Sequence, residues 1–148
     1  MAKVLKIENV LVIRSLLEEC IKEVTEKLKF EFLPVDELLK GITERMMTRN
    51  CVILVNNTTE PESMIIATVG KSIVTTDTLC SVLFAFTRET NRGKGLATSL
   101  LQALPMVAST LGANRIFLVS SFMNSLGSKN LAVKMGYEEV ETAYTLVI

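Results

Sequence analysis

Residues 79–101 read LCSVLFAFTRETNRGKGLATSLL, and the reading of the chain turns on the passage Arg92-Gly93-Lys94-Gly95-Leu96-Ala97 within it. Ahead of that passage, residues 79–87 are rich in Val, Phe and Thr, the composition of a half-buried strand. Behind it, Leu96, Leu100, Leu101, Leu104, Val107, Ala108 and Leu111 recur at three and four, which predicts an amphipathic helix that Gly112 ends. Pro105 falls inside this pattern and is expected to kink or divide the helix. Between strand and helix lies a glycine-rich turn. The first N–H groups of a helix have no partner within it and sit at the positive end of its dipole, and glycines let a ligand approach without a Cβ in the way. Such a turn suits a phosphate, and Arg92 and Lys94 add positive charge.

Spacing separates the phosphate-binding patterns. A Walker loop needs Gly, four residues, then Gly-Lys-Ser/Thr; the Gly-Lys-Ser here is Gly70-Lys71-Ser72, and the position five residues before Gly70 is Ile65. The dinucleotide fingerprint needs a third Gly or Ala where this loop has Thr98, and an acidic residue about 20 positions on, which is missing. What fits is Arg/Gln-x-x-Gly-x-Gly/Ala following a strand, met in full by residues 92–97 and followed by Leu100 and Leu101.

That motif resembles the acetyl-CoA loop of the GNAT superfamily of N-acetyltransferases. Two flanking stretches are similar to it as well. Leu83-Phe84-Ala85-Phe86-Thr87 looks like the family's fourth strand, and Leu131-Ala132-Val133-Lys134-Met135-Gly136-Tyr137 like its helix ending in a Lys-Leu-Gly-Phe type sequence. The resemblance implies one acyl-CoA-binding domain over residues 1–148, with an α/β (α+β) fold. Its sheet is mixed and mostly antiparallel, with a central parallel pair and helices on both faces. It implies acetyl-CoA as co-substrate, no metal, and transfer of an acetyl or short acyl group to an amine of a small molecule or protein by direct attack.

Residue by residue, the resemblance puts the CoA pyrophosphate on Arg92, Gly93, Lys94, Gly95, Leu96 and Ala97, with Thr98 beside it. The pantetheine then runs along Ala85, Phe86 and Thr87, an amide near Phe86 polarises the thioester carbonyl, and Ser125 and Asn130 lie along the cofactor. Phe30 and Phe32 border the acceptor. The catalytic base is not singled out: Glu31, Glu18, Glu19 and Asp77 are candidates. The chain departs from the family at Ala132, where many relatives carry the tyrosine that protonates the leaving thiolate; Tyr144, Ser128 and Tyr137 are candidates for that role. This departure keeps two alternatives open, a catalytically inactive module that binds acyl-CoA as a sensor, and a scaffold that no longer binds it.

The rest of the chain agrees in order. Val10, Ile13, Leu17, Cys20, Ile21 and Val24 predict a helix over 10–28, with Asn9 as its cap. A second helix follows Pro34, with Asp36 as cap and Leu38, Leu39, Ile42 and Met46 on one face. Strands are expected at 51–55, 64–74, 79–87 and 116–119, a short helix at 128–135, and a closing strand or hairpin at 137–147.

Composition narrows the chemistry. The chain has 148 residues, 16 cationic and 16 anionic, so no basic surplus points to nucleic acid. No apolar run approaches the roughly 20 residues of a membrane span, and residues 1–4 do not open a secretory signal; a cytoplasmic protein is expected, with no membrane partner. The absence of histidine excludes Ser-His-Asp and Cys-His catalysis and histidine-based zinc sites. Cys20, Cys51 and Cys80 are expected in the core as free thiols. The resemblance also allows a homodimer paired through the C-terminal strands.

Overall fold

The computed structural model describes residues 1–27, 31–118, 131–140 and 146–148. Among these, strands β1 (Lys3–Val4), β2 (Cys51–Val55), β3 (Ser63–Lys71), β4 (Thr78–Thr87) and β5 (Arg115–Leu118) form one sheet in sequence order. β1 to β4 are antiparallel and β4–β5 is parallel. Helices α1 (Arg14–Lys27) and α2 (Val35–Met47), with a 3-10 segment at Ile7–Ile13, cover one face, and α3 (Leu96–Thr110) covers the other. The mixed, mostly antiparallel sheet with helices on both faces is the expected architecture.

Alternation along each strand builds two cores. Cys51, Ile53 and Val55 of β2 and Met64 and Ile66 of β3 pack toward α1, where Leu16, Leu17, Cys20 and Val24 meet them. Val52, Leu54, Ile65, Ala67 and Val69 face Leu100, Leu101, Leu104 and Ala108 of α3. All three cysteines are buried and free, and burial pushes Cys20 up to about 12 and Cys51 and Cys80 up to about 11. None of them forms thiolate near neutral pH, which makes them core residues as expected.

β4 breaks the alternation. Ile66 pairs with Phe84 and Ala67 with Val82, so Leu83 is an extra residue, a β-bulge. Before it, Cys80 and Val82 face α3; after it, Phe84 and Phe86 face α1.

Several local expectations are corrected. Asn9 is not a cap: it lies within the 3-10 segment, its N–H bonded to the Lys6 carbonyl, because Val10 and Ile13, three apart, stack on one side of a three-residue turn and bury there. Asp36 does not cap α2 either. Pro34 holds the cap position with an extended ψ of 146°, and Asp36, in the first turn, pairs with Arg14 of α1. The strand expected to reach Val74 stops at Lys71. Ile73 and Val74 stand at the tip of the β3–β4 hairpin, 100 % and 86 % exposed, where β-branched residues find nothing to pack against. Pro105 does not divide α3, since its ring lies on the exposed side, where water can serve the carbonyl whose partner it removes. α3 ends at Gly112 (φ 90°), with Ala113 N–H on Ala108 O and Gly112 N–H on Ser109 O, as expected.

The short helix is seen as a turn over residues 131–134, closed in the same way by Gly136 (φ 90°). Its expected start at 128–130 lies outside the described residues. Residues 137–140 and 146–148 are not strand, so the described parts of the expected closing strand do not form one, and 141–145 lie outside the described residues. β1 was not anticipated from sequence.

Candidate active site at the open edge of β4

β5 pairs with β4 from Leu79 to Val82, and among the described residues nothing pairs with the far half of β4 on that side. Backbone direction follows from the register. Arg88 N–H bonds Glu62 O, and Asn56 N–H bonds Ser63 O, so even-numbered residues at the start of β3 point their backbone at β4 and odd-numbered ones at β2. Since Met64 pairs with Phe86, the N–H and C=O of Phe86 face β3, while those of Ala85 and Thr87 face the open edge. Phe86 turns its ring toward α1 and its backbone to β3, so within the expected stretch Ala85, Phe86 and Thr87 the outward amides are those of Ala85 and Thr87.

The glycine loop follows directly. Gly93 and Gly95 have φ of 81° and 78°, the left-handed region, with open space around the position of a Cβ. Gly95 is the N-cap of α3, and the first helical bond is Ser99 N–H to Gly95 O. The amides of Leu96, Ala97 and Thr98 therefore lie ahead of the helical ladder, at the positive end of the dipole. The residues fit an anionic group such as a pyrophosphate: exposed glycines, a free first turn and no acidic residue in that turn.

The two loop cations differ. Lys94 is exposed and, among the described residues, hydrogen-bonds only Asn91 Oδ1, at 3.1 Å. Arg92 is held by three neighbours: its Nη2 meets Glu23 Oε2 at 2.7 Å, its Nε donates to Thr87 O at 2.9 Å, and its guanidinium lies 5.4 Å from the centre of the Phe86 ring. Burial alone would raise the Glu23 carboxyl, but the hydrogen bond and charge of Arg92, aided by Lys27, hold it below its ordinary value.

The candidate bases separate cleanly. Asp77 is bound to Arg115 and Asn114 at the start of β4. Eight residues of strand put it on the order of 27 Å from Ala85. Glu18 pairs with Arg14 and Glu19 with Arg88. Glu31 is exposed and lines a groove of about 530 Å³ with Ile21, Thr25, Phe32, Leu33 and Val35; no ion pair engages it among the described residues. Phe32 closes that groove against Phe84, with ring centres 6.2 Å apart.

Of the candidate acids, the Tyr137 hydroxyl is buried and has no hydrogen-bond partner among the described residues, and burial, with a contribution from Cys80, pushes its pKa up. Ala132 is half-buried in the last helical turn. Tyr144, Ser128, Ser125, Asn130 and Phe30 lie outside the described residues. Among the described residues no acidic or cysteine cluster is arranged to hold a metal ion, and no helix is long and apolar enough to cross a membrane. Sequence reasoning missed Glu23, Glu62 and Arg88, which surround the loop; the signal available was the four-residue spacing of Glu19 and Glu23 and of Arg88 and Arg92.

The sequence matches no protein-family model and no curated protein. Solved structures match over essentially full length. A predicted acetyltransferase from Clostridium acetobutylicum, solved with acetyl-CoA, superposes with a TM-score of 0.76 at 15 % identity, covering 99 % of this chain and 95 % of its own. The ribosomal-protein-alanine N-acetyltransferase of Brucella melitensis gives 0.72 at 15 % identity, over 100 % and 99 %. Glucosamine-6-phosphate N-acetyltransferase of Arabidopsis thaliana gives 0.68 at 13 % identity, over 99 % and 97 %. At such identities the likeness is one of architecture, and it agrees with the sheet order, the parallel β4–β5 pair and the glycine loop before α3: the chain has the GNAT acetyltransferase fold.

Proposed function

We propose that residues 1–148 form one acyl-CoA-binding domain that moves an acetyl or short acyl group from CoA to an amine. The observation that carries this reading is the continuity of two features: an open strand edge with outward amides at Ala85 and Thr87 runs straight into a left-handed glycine loop at the start of α3. The solved neighbour with acetyl-CoA supports the choice of ligand.

On this reading the pyrophosphate lies on the amides of Leu96, Ala97 and Thr98, and Lys94 swings to it from Asn91. The pantetheine adds as a strand beside Ala85 and Thr87. A free amine attacks the thioester carbonyl, whose oxygen gathers negative charge and is held by an outward amide of β4. The tetrahedral intermediate collapses with cleavage of the C–S bond, and the proton shed by the new amide nitrogen passes through water to the departing CoA thiolate, whose thiol pKa of about 8.5 makes it a tolerable leaving group even with Ala132 in the tyrosine's place. An acceptor amine with a pKa near 10 must lose a proton first, and Glu31, in the groove beside Phe32, takes it directly or through water.

The test is the unfolding midpoint with and without acetyl-CoA for the native chain and for Gly95→Glu, whose carboxylate would occupy the cradle. Ligand at 100 times its dissociation constant should stabilise the native chain by about 2.7 kcal/mol and leave the variant unmoved. Equal behaviour of the two chains sinks the reading. If acetyl-CoA binds yet no amine in a broad panel is acetylated, the acyl-CoA sensor, favoured by Ala132, takes its place.

A further inference from the structure

Two arginines at the end of β4 reach across to one helix. Arg88 and Arg92, four apart, flank a single 3-10 turn at Glu89–Asn91; Glu19 and Glu23, also four apart, lie one above the other on α1. Arg88 meets Glu19 at 2.7 Å and Glu62, at the foot of β3, at 3.2 Å, and donates to Ser15 at 3.3 Å. Asn91 adds a bond to Glu62 at 2.8 Å. Arg92 meets Glu23 at 2.7 Å. The result is a ladder of two ionic rungs between α1 and the segment joining β4 to the glycine loop.

The Glu23 rung differs from the other in what its arginine touches next. Arg92 is the residue before Gly93, its Nε holds the outward carbonyl of Thr87, and its plane lies over the ring of Phe86. One side chain therefore ties the phosphate loop to the two residues that end the open edge, and Glu23 fixes the direction in which that side chain points. Glu23 has the more enclosed carboxylate of the two rungs, 23 % exposed against 46 % for Glu19.

We propose that Glu23 is a positioning residue for acyl-CoA: by holding Arg92 against Thr87 and Phe86 it sets the angle between the open edge of β4 and the glycine loop, so that pantetheine and pyrophosphate are received together. This rests on the acyl-CoA reading given above. Glu23 touches neither group itself and acts through Arg92, whose guanidinium is thereby a brace and not a phosphate ligand.

The experiment is a double-mutant cycle read by calorimetry with acetyl-CoA on the full chain: Glu23→Gln, Arg92→Gln and the two combined, with Glu18→Gln as a control on the same helix. A half-exposed ion pair is worth up to about 1 kcal/mol, so Glu23→Gln should weaken binding up to about fivefold while the ligand-free unfolding midpoint stays close to native. The double variant should bind no worse than Arg92→Gln alone, because on this proposal the glutamate acts on the ligand through Arg92, and Glu18→Gln should bind as native. A double variant that loses the sum of the two single effects, or a Glu23→Gln chain that binds as native, overturns the proposal and leaves the acyl-CoA reading standing. If the native chain itself does not bind acetyl-CoA, both fall.

Discussion

The two halves of β4 share a strand and differ in almost everything else. From Leu79 to Val82 the strand is paired on both sides, to β3 and to β5, and sends Cys80 and Val82 into the core beneath α3. Beyond the bulge at Leu83 it keeps only β3 among the described residues, and sends Phe84 and Phe86 to the opposite core. The first half spends its backbone on structure. The second is held by side chains, through two buried rings and the arginine braces, which leaves the outward N–H and C=O groups of Ala85 and the N–H of Thr87 available to a ligand.

That contrast can be broken by removing what holds the second half. Phe84 is buried between Phe32 and the α1 core, so Phe84→Ala should cost about 3 kcal/mol in denaturant unfolding; a loss under about 1 kcal/mol would mean that this half is not anchored by its rings. Next in size is the hydroxyl pair at the strand's end. Ser63 Oγ, 1 % exposed, lies 2.8 Å from Thr87 Oγ1, so Thr87→Val should cost about 1–2 kcal/mol by leaving the serine unpartnered, and adding Ser63→Ala should recover most of it.

Acid probes the braces. Because Arg92 holds the Glu23 carboxyl below its ordinary value, the native state binds fewer protons there than the unfolded chain does. That stability is fully present above the unfolded carboxyl range and drains away as pH falls through the lower native value. Unfolding midpoints between about pH 6 and pH 3 should therefore fall less steeply for Glu23→Gln than for the native chain. An unchanged slope would detach Glu23 from the second half of the strand. Smallest of all should be Asp77→Asn at the paired end. It loosens Asp77 from Arg115, which is half-exposed, and should cost about 0.5 kcal/mol and leave acetyl-CoA binding untouched.

The legible parts of this molecule were those where one residue type meets a requirement no other meets. Gly93 and Gly95 are glycines because the backbone is left-handed there, and Gly112 and Gly136 close helical turns for the same reason, so the loop and the helix ends could be read in advance. Buried strands at Cys51–Val55 and Thr78–Thr87 were likewise readable from runs of apolar residues. The bulge was not: Leu-Phe-Ala-Phe is apolar throughout, so nothing in the letters marks where the alternation slips. β1 is two exposed residues whose pairing with Leu54 and Val55 is purely a matter of backbone, invisible to composition. The ladder from α1 to the loop joins positions 69 residues apart, so the matching four-residue spacings of its two ends are visible in the sequence but their pairing is not.

A strand has a reading frame of two, and β4 is written in both frames with Leu83 as the shift between them. Deleting that one residue would leave Phe84 directly after Val82, opposite Ile66 and Ala67 in plain alternation, so that Cys80, Val82, Phe84 and Phe86 would all keep the faces they hold now. The extra residue therefore does not choose the faces; it supplies the local bend and twist of a bulge at the point where pairing with β5 stops.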